Sequence, residues 1–248
     1  MTSRRRPGVI GQDVPPGGDD ESQDPGPKRR RGFAVLKETA IVVVLSLIIA
    51  TVVRIFLVQA FLIPSESMED TLRVGDRVMV SKITLHFGDV ERGDVVVFTD
   101  PNGWLGPQPE GPGGVAGGLQ DFFQFVGVLP DDSTGHVIKR VIGVGGDTVE
   151  CCDDDGRLLV NGVAIDESEY LFPSDEASNQ EFSEEVPEGE LFVMGDHRSN
   201  SGDSRAHGTF SEDLVVGRAF AIVWPFSRWS SISDEDTFEH VPDSPPSE

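Results

Sequence analysis

One stretch of this chain is apolar almost without interruption, and the chain beyond it alternates. From Thr39 to Val53 no residue is charged, and apolar character resumes after Arg54 with Ile55, Phe56, Leu57 and Val58. Such continuity predicts a helix, since a half-buried strand would place polar residues at every second site. The uncharged part alone is shorter than the ~20 residues that cross a bilayer core. Arg54 can still carry its guanidinium to the headgroups while its stem stays in lipid. A single membrane anchor over 35–58 is therefore predicted. Downstream the pattern turns to period two and short buried runs. Arg77 to Ile83 alternates and is β-branched, Asp94 to Phe98 reads as a short buried strand, and His136 to Val144 as a longer one. Leu158 to Ile165 carries Asn161-Gly162 between apolar runs, a two-residue hairpin signal. Leu191 to Met194 and Val215 to Trp224 complete a mostly β domain over 59–230.

The polar positions between these elements divide the chain further. Residues 1–34 are rich in Pro, Gly, Asp and Arg, with few large apolar side chains, which predicts a disordered segment. The cluster Lys28 to Arg31 directly precedes the apolar stretch and by the positive-inside rule holds this end in the cytoplasm, placing the domain outside. A cleaved secretory signal is the competing reading. The long leader and the lack of a prompt small-x-small site disfavour it. Residues 101–131 and 151–189 read as insertions. The first is Gly- and Pro-rich, then apolar from Asp121 to Pro130, and fits either a segment packed on the sheet or a wedge on the membrane surface. The second, from Asp166 onward, is acidic and reads as a surface excursion. Residues 231–248 read as a disordered acidic tail. Gly-Asp recurs at Gly75-Asp76, Gly93-Asp94, Gly146-Asp147 and Gly195-Asp196; the first three read as turns beside strands.

Charge excludes one class of partner. The net charge is -23, with +2 before the apolar stretch and -25 from Arg54 onward. This argues against nucleic acid. The two cysteines, Cys151 and Cys152, are adjacent. A disulfide between neighbours is uncommon, so free thiols remain open, and with no spaced partners the pair makes no zinc site.

Candidate chemistry begins where the apolar stretch ends, at Phe61-Leu-Ile-Pro-Ser-Glu-Ser-Met68. Pro64 keeps Ile63 extended, so Ile63, Ser65 and Ser67 should share one face of a strand-like segment. A serine nucleophile needs a base. Five histidines are present, but no Gly-x-Ser-x-Gly elbow accompanies them. Of the four lysines, Lys28 and Lys37 lie on the cytoplasmic side and Lys82 ends a strand. Lys139 alone lies inside an apolar strand, where burial would lower its pKa toward neutrality.

These residues fall in a recognisable order. Pro64-Ser65-x-Ser67-Met68-x-x-Thr71-Leu72-x-x-Gly75-Asp76 comes first, then Arg92-Gly93-Asp94-Val95-Val96-Val97-Phe98. Lys139-Arg140-Val141-Ile142-Gly143-x-x-Gly146-Asp147 is third, and last comes Gly195-Asp196-x-Arg198-x-Asn200-Ser201-x-Asp203-Ser204-Arg205. The series resembles the motif boxes of bacterial type I signal peptidase, and the single anchor resembles the form common in Gram-positive bacteria. The resemblance implies a coiled β-sheet catalytic domain and a serine endopeptidase. It would remove signal peptides from exported preproteins outside the cytoplasmic membrane, near the secretion translocon, cutting after small residues. Ser67 would be the nucleophile and Lys139 the general base, with the Ser67 N–H and the Ser65 hydroxyl as oxyanion hole. Ser201 would orient the Lys139 amine, Asp203 and Arg205 would pair behind it, and Asp196 and Arg198 would support them. Phe61, Ile63, Met68, Val137 and Ile138 would line pockets for small side chains, the substrate adding as a strand along the Ile63–Ser65 edge. No metal or organic cofactor is implied.

Two positions depart from the family pattern, which usually has proline where Asp70 stands and asparagine where His197 stands. The rival readings are a self-cleaving repressor on the same fold, disfavoured by the anchor and the lack of a DNA-binding helix pair, and an anchored binding module.

Overall fold

The computed structural model describes residues 28–82, 89–101, 103–106, 135–232 and 236–243. Most of the 101–131 insertion, with its apolar run, lies outside the described residues, as do residues 1–27 of the basic leader and the end of the acidic tail.

The apolar stretch forms a helix, α1 (Lys28–Phe56). It begins seven residues before the expected anchor, so the basic cluster at Lys28 is helical rather than disordered. The chain divides within this helix into units at 1–46 and 47–248. Val35, Leu36 and the aliphatic residues from Ile41 to Ile49 are all more than half exposed. Among the described residues no helix is long and apolar enough to cross a membrane.

The second unit is β, as the alternation predicts. Its strands are β1 (Val58–Leu62), β2 (Arg77–Ser81), β3 (Val95–Thr99), β4 (His136–Gly143), β5 (Thr148–Cys151) and β6 (Leu158–Val160). They continue with β7 (Val163–Ala164), β8 (Phe182–Glu185), β9 (Glu190–Met194), β10 (Phe210–Ser211), β11 (Val215–Trp224) and β12 (Ser230–Ser231). A one-turn helix, α2 (Ser204–His207), precedes β10. The larger sheet runs β1-β2-β11-β3-β4-β9-β10 with β12 beside β11, and the smaller β7-β6-β5-β8. All pairings are antiparallel. The Asn161-Gly162 hairpin joins β6 to β7, with positive φ at both residues, as a primed turn requires.

Apolar side chains alternate between the faces of the larger sheet and fill a cluster on each. Phe61, Ile63, Val95, Val97 and Ile138 lie in one, and Val96, Phe98, Val137, Val141 and Val193 in the other. The first three Gly-Asp pairs are the same turn made three times. In each the Asp N–H donates to the carbonyl three residues back, its carboxylate accepts the N–H of that same residue, and the glycine has φ near +90°. A side chain there would be strained.

Two expectations fail. The stretch from Asp166 to Gly189 is not a surface excursion: it supplies β8 of the smaller sheet and buries Tyr170, Ala177 and Val186. The tail is also ordered where described: Phe238 and Val241 are buried in the smaller sheet's core beside Val149 and Leu158, and Asn161 Nδ2 donates to the Pro242 carbonyl at 3.0 Å. Two apolar residues in an acidic run suffice, because the small core needs capping on that side. Cys151 and Cys152, at the end of β5, are joined as a disulfide.

Candidate active site

β4 carries Lys139. Val137 and Lys139 pair opposite Phe98 and Val96 of β3 and share their face, while Ile138 pairs opposite Val97 on the other. β9 joins β4 only from Arg140 onward. Among the described residues no strand flanks Val137–Lys139 on that side. β1 is the outermost strand at the far end of the sheet, and the curl of the sheet brings the Phe61 ring to 5.5 Å from that of His136. A cleft of about 550 Å³ lies between these two edges.

The loop that carries Ser65 and Ser67 leaves β1 at Leu62. Ile63 keeps the β1–β2 ladder, donating to the Asp76 carbonyl and accepting from the Gly75 N–H. The chain then turns, so Ser65 and Ser67 do not continue a strand. Ser65 is exposed and Ser67 buried, with their hydroxyl oxygens 3.3 Å apart. Lys139 Nζ lies 2.5 Å from Ser67 Oγ, and the lysine is 3% exposed. Burial pushes the Lys139 ammonium down to about 8, against the pull of Asp203 and Asp196 and with the push of Arg205. No hydrogen bond within the described residues uses the Ser67 N–H.

Gly195 lets the strand end close on this loop. A Cβ there would lie 2.4 Å from the Ser67 carbonyl oxygen, so no other residue fits without displacing Ser67. The fourth Gly-Asp is thus a close approach rather than a turn. The His197 N–H donates to the same Ser67 carbonyl at 3.2 Å, and the His197 ring stacks on Phe172 with centroids 4.1 Å apart. At the other departure Asp70 has φ +91°. A proline, fixed near -65°, cannot occupy this turn as it stands.

Asp203 and Arg205 are brought together. Arg205 Nε and NH2 donate to the Asp203 carboxylate at 2.8 Å each, and the Gly195 N–H donates to it at 3.1 Å. Burial opposes the charge on Asp203, but Arg205 outweighs it and holds the carboxyl below its usual range. The expected hydrogen bond from Ser201 to Lys139 is not made. The Ser201 hydroxyl is buried without a well-formed hydrogen bond, though close enough to Asp203 to favour that carboxylate's charged form.

Asp196 and Arg198 lie in a different buried network. Asp196 receives both Nε and NH2 of Arg140 at 2.9 and 2.8 Å, and the Thr71 hydroxyl at 2.6 Å. Arg140 also sits 4.0 Å over the Tyr170 ring. Arg198 donates to the Gly195 and Ala177 carbonyls and pairs with Glu167, which receives the Tyr170 hydroxyl. Burial works against the Arg198 charge, but Glu167 more than offsets it and raises its pKa. Arg140, Glu167 and Tyr170 were not among the expected site residues. The substrate-pocket expectations divide. Phe61, Ile63 and Ile138 line the cleft from one face of the sheet and Val137 from the other. Met68 is fully buried in the core with Leu72, beneath the cleft rather than on it.

A lysine amine held on a serine hydroxyl in a largely apolar cleft can remove its proton, which makes the serine a nucleophile. Comparison with known proteins fits this chemistry. The family described as "Signal peptidase, peptidase S26" matches residues 36–224. The chain is 37% identical to a signal peptidase I of Mycobacterium tuberculosis, over 93% of this chain and 90% of that protein. It is 31% identical to signal peptidase I T of Bacillus subtilis, over 75% and 84% of the two. A crystal structure of an Enterococcus faecalis signal peptidase I is 26% identical over 52% of this chain and 96% of that one, with a TM-score of 0.34. The chain therefore belongs to the peptidase S26 family, the signal peptidases, serine proteases that cleave signal peptides.

Proposed function

We propose that this protease cuts the signal peptides of exported preproteins by a Ser67/Lys139 dyad. The observation that carries the reading is the 2.5 Å contact between Lys139 Nζ and Ser67 Oγ, made by a buried lysine whose pKa has fallen to about 8. The neutral amine takes the Ser67 proton as Oγ attacks the carbonyl of the residue before the cut. The oxyanion is received by the Ser67 N–H and the Ser65 hydroxyl. The lysine then returns the proton to the leaving amine, and a water deprotonated by the same amine releases the acyl group. Asp203, Arg205 and Gly195 fix the wall behind the dyad, and Ser201 fills the space between. The substrate lies extended between β1 and the N-terminal half of β4. Its small side chains face Ile63, Ile138 and Phe61, since alternate residues of a strand share a wall.

The same reading makes α1 a single anchor, with the N-terminus cytoplasmic and the catalytic unit extracytoplasmic, close to the translocon. It rests on the exposed aliphatic run of α1 and on the basic cluster before it. No metal or cofactor takes part. The deciding experiment is cleavage of a synthetic signal peptide by the detergent-solubilised full chain. One cut after an Ala-x-Ala sequence, lost in Ser67→Ala, supports the reading. Cleavage that survives in Ser67→Ala overturns it.

A further inference from the structure

The cleft has a second wall that the small-residue pockets do not use. Val137 and Lys139 point to the face opposite Ile138, and on that face Trp104 packs against the cluster of Val96, Phe98 and Val137. Trp104 and Leu105 both line the cleft with the dyad. They come after β3 on a turn built to present them. The Asp100 N–H donates to the Gly135 carbonyl at 2.9 Å, and the Asp100 carboxylate accepts the N–H groups of Trp104 and Leu105 at 2.8 and 3.3 Å. The Trp104 ring is fixed on three sides. It stacks on His207 of α2 at 4.9 Å and meets Phe98 and Phe210 edge-on at 5.5 and 5.8 Å. Leu105 is left exposed at the cleft. A rigid aromatic wall with an exposed leucine beside it is a surface for apolar side chains.

An extended substrate must put something against it. Side chains of a strand alternate between two sides at ~3.3 Å per residue. If the residue before the cut and the one two places further upstream face Ile138 and Phe61, those between them face Val137 and Trp104. We infer that Trp104, with Leu105, is a specificity-determining element of this protease, selecting large apolar or aromatic side chains at the second and fourth substrate positions upstream of the cut. The inference rests on the proposed path of the substrate between β1 and β4.

The test is a peptide series with alanine fixed at the first and third upstream positions and Gly, Asp, Leu or Phe at the second or fourth, with one further peptide carrying Val at the first. The wild-type chain should cut the Leu and Phe peptides with kcat/KM about tenfold above Gly, the scale of one apolar contact in a pocket, with the difference in KM. In Trp104→Ala the Leu-to-Gly ratio should fall toward one, while the preference for Ala over Val at the first position persists. Thermal melting reports whether the variant is folded. If it is not, Trp104→Phe, which keeps an aromatic ring against Phe98 and Phe210, and Leu105→Ala should each lower the ratio in part. A folded Trp104→Ala with the wild-type ratio overturns the inference, and so does an unchanged ratio in both milder variants. These results leave the proposed function standing. A wild-type chain that cuts none of the peptides overturns both.

Discussion

Lys139 and Arg140 are neighbours on one strand, both almost fully buried, and the protein treats their charges in opposite ways. Arg140 is gripped by both oxygens of Asp196, by the Gly93 carbonyl and by the Tyr170 face. Its charge is retained because every side is answered. Lys139 has no carboxylate in contact; its amine meets a serine hydroxyl, and burial outweighs the pull of Asp203 and Asp196 and drives its pKa down to about 8. The alternation of a strand sends the two side chains to opposite faces, so Arg140 makes a structural ion pair while Lys139 meets the Ser67 hydroxyl. What separates them is the placement of one carboxylate, not the depth of burial.

The largest way to break this contrast is to remove the reactive side. Ser67→Ala and Lys139→Ala should each lower kcat/KM by about 10⁴-fold or more with the fold retained, while Lys82→Ala, at the end of β2, changes little. In the wild type, activity should rise with pH through about 8 and stay level above it, because only the neutral amine accepts the proton. A rise near 6.5 with a plateau beyond it would mean a histidine base.

Removing Asp196 tests the structural side. Asp196→Ala strands a buried guanidinium and should cost about 3–5 kcal/mol in a denaturant titration. Replacing both partners, Arg140→Met with Asp196→Leu, should recover most of that loss. If the single variant is as stable as the wild type, the pair is not what offsets the burial of Arg140.

Lys139→Met asks the opposite question. A folded-state pKa near 8 against 10.5 means the unfolded chain binds more protons between those values, so wild-type stability rises with pH across that window. Below it the folded protein carries the full cost of a buried cation, about 3 kcal/mol. Lys139→Met should therefore be inactive yet more stable at pH 7, by up to that amount. Its advantage should shrink as pH climbs from 8 to 10.5. Equal stability at all pH values would show that the lysine is not destabilised by burial.

The smallest effect belongs to the turn that joins the two regions, since Thr71 binds Asp196 one residue after Asp70. With φ at +91°, Asp70→Gly should relieve strain and gain on the order of 1 kcal/mol, whereas Asp70→Pro should destabilise. Melting temperatures of the two variants check both signs.

Most of the reactive region was legible in the sequence. The serine pair, the lysine inside an apolar strand and the motif order all announce themselves locally, and three of four Gly-Asp pairs are the turns they look like. The structural region was not. Glu167 and Tyr170 sit in an acidic stretch whose composition reads as solvated surface, and only folding reveals that Arg198, 31 residues away, needs Glu167 in the interior. Ser201 misled for a related reason: a polar residue in a motif invites a hydrogen bond, but the space beside Gly195 decided its placement. Val137 and Ile138 were grouped as one pocket, although the period of a strand already sends them to opposite sides.

The ordered end of the chain bears on how the molecule assembles. Phe238 and Val241 complete a core begun by β5 and β6, and the Asn161–Pro242 contact beside them spans a separation of 81 residues. Contacts so distant in sequence must meet the entropy of closing a long loop before they return any stability. During synthesis the core of the smaller sheet therefore lacks Phe238 and Val241 until residues 236–243 have emerged, after Ser67 and Lys139 have already been translated.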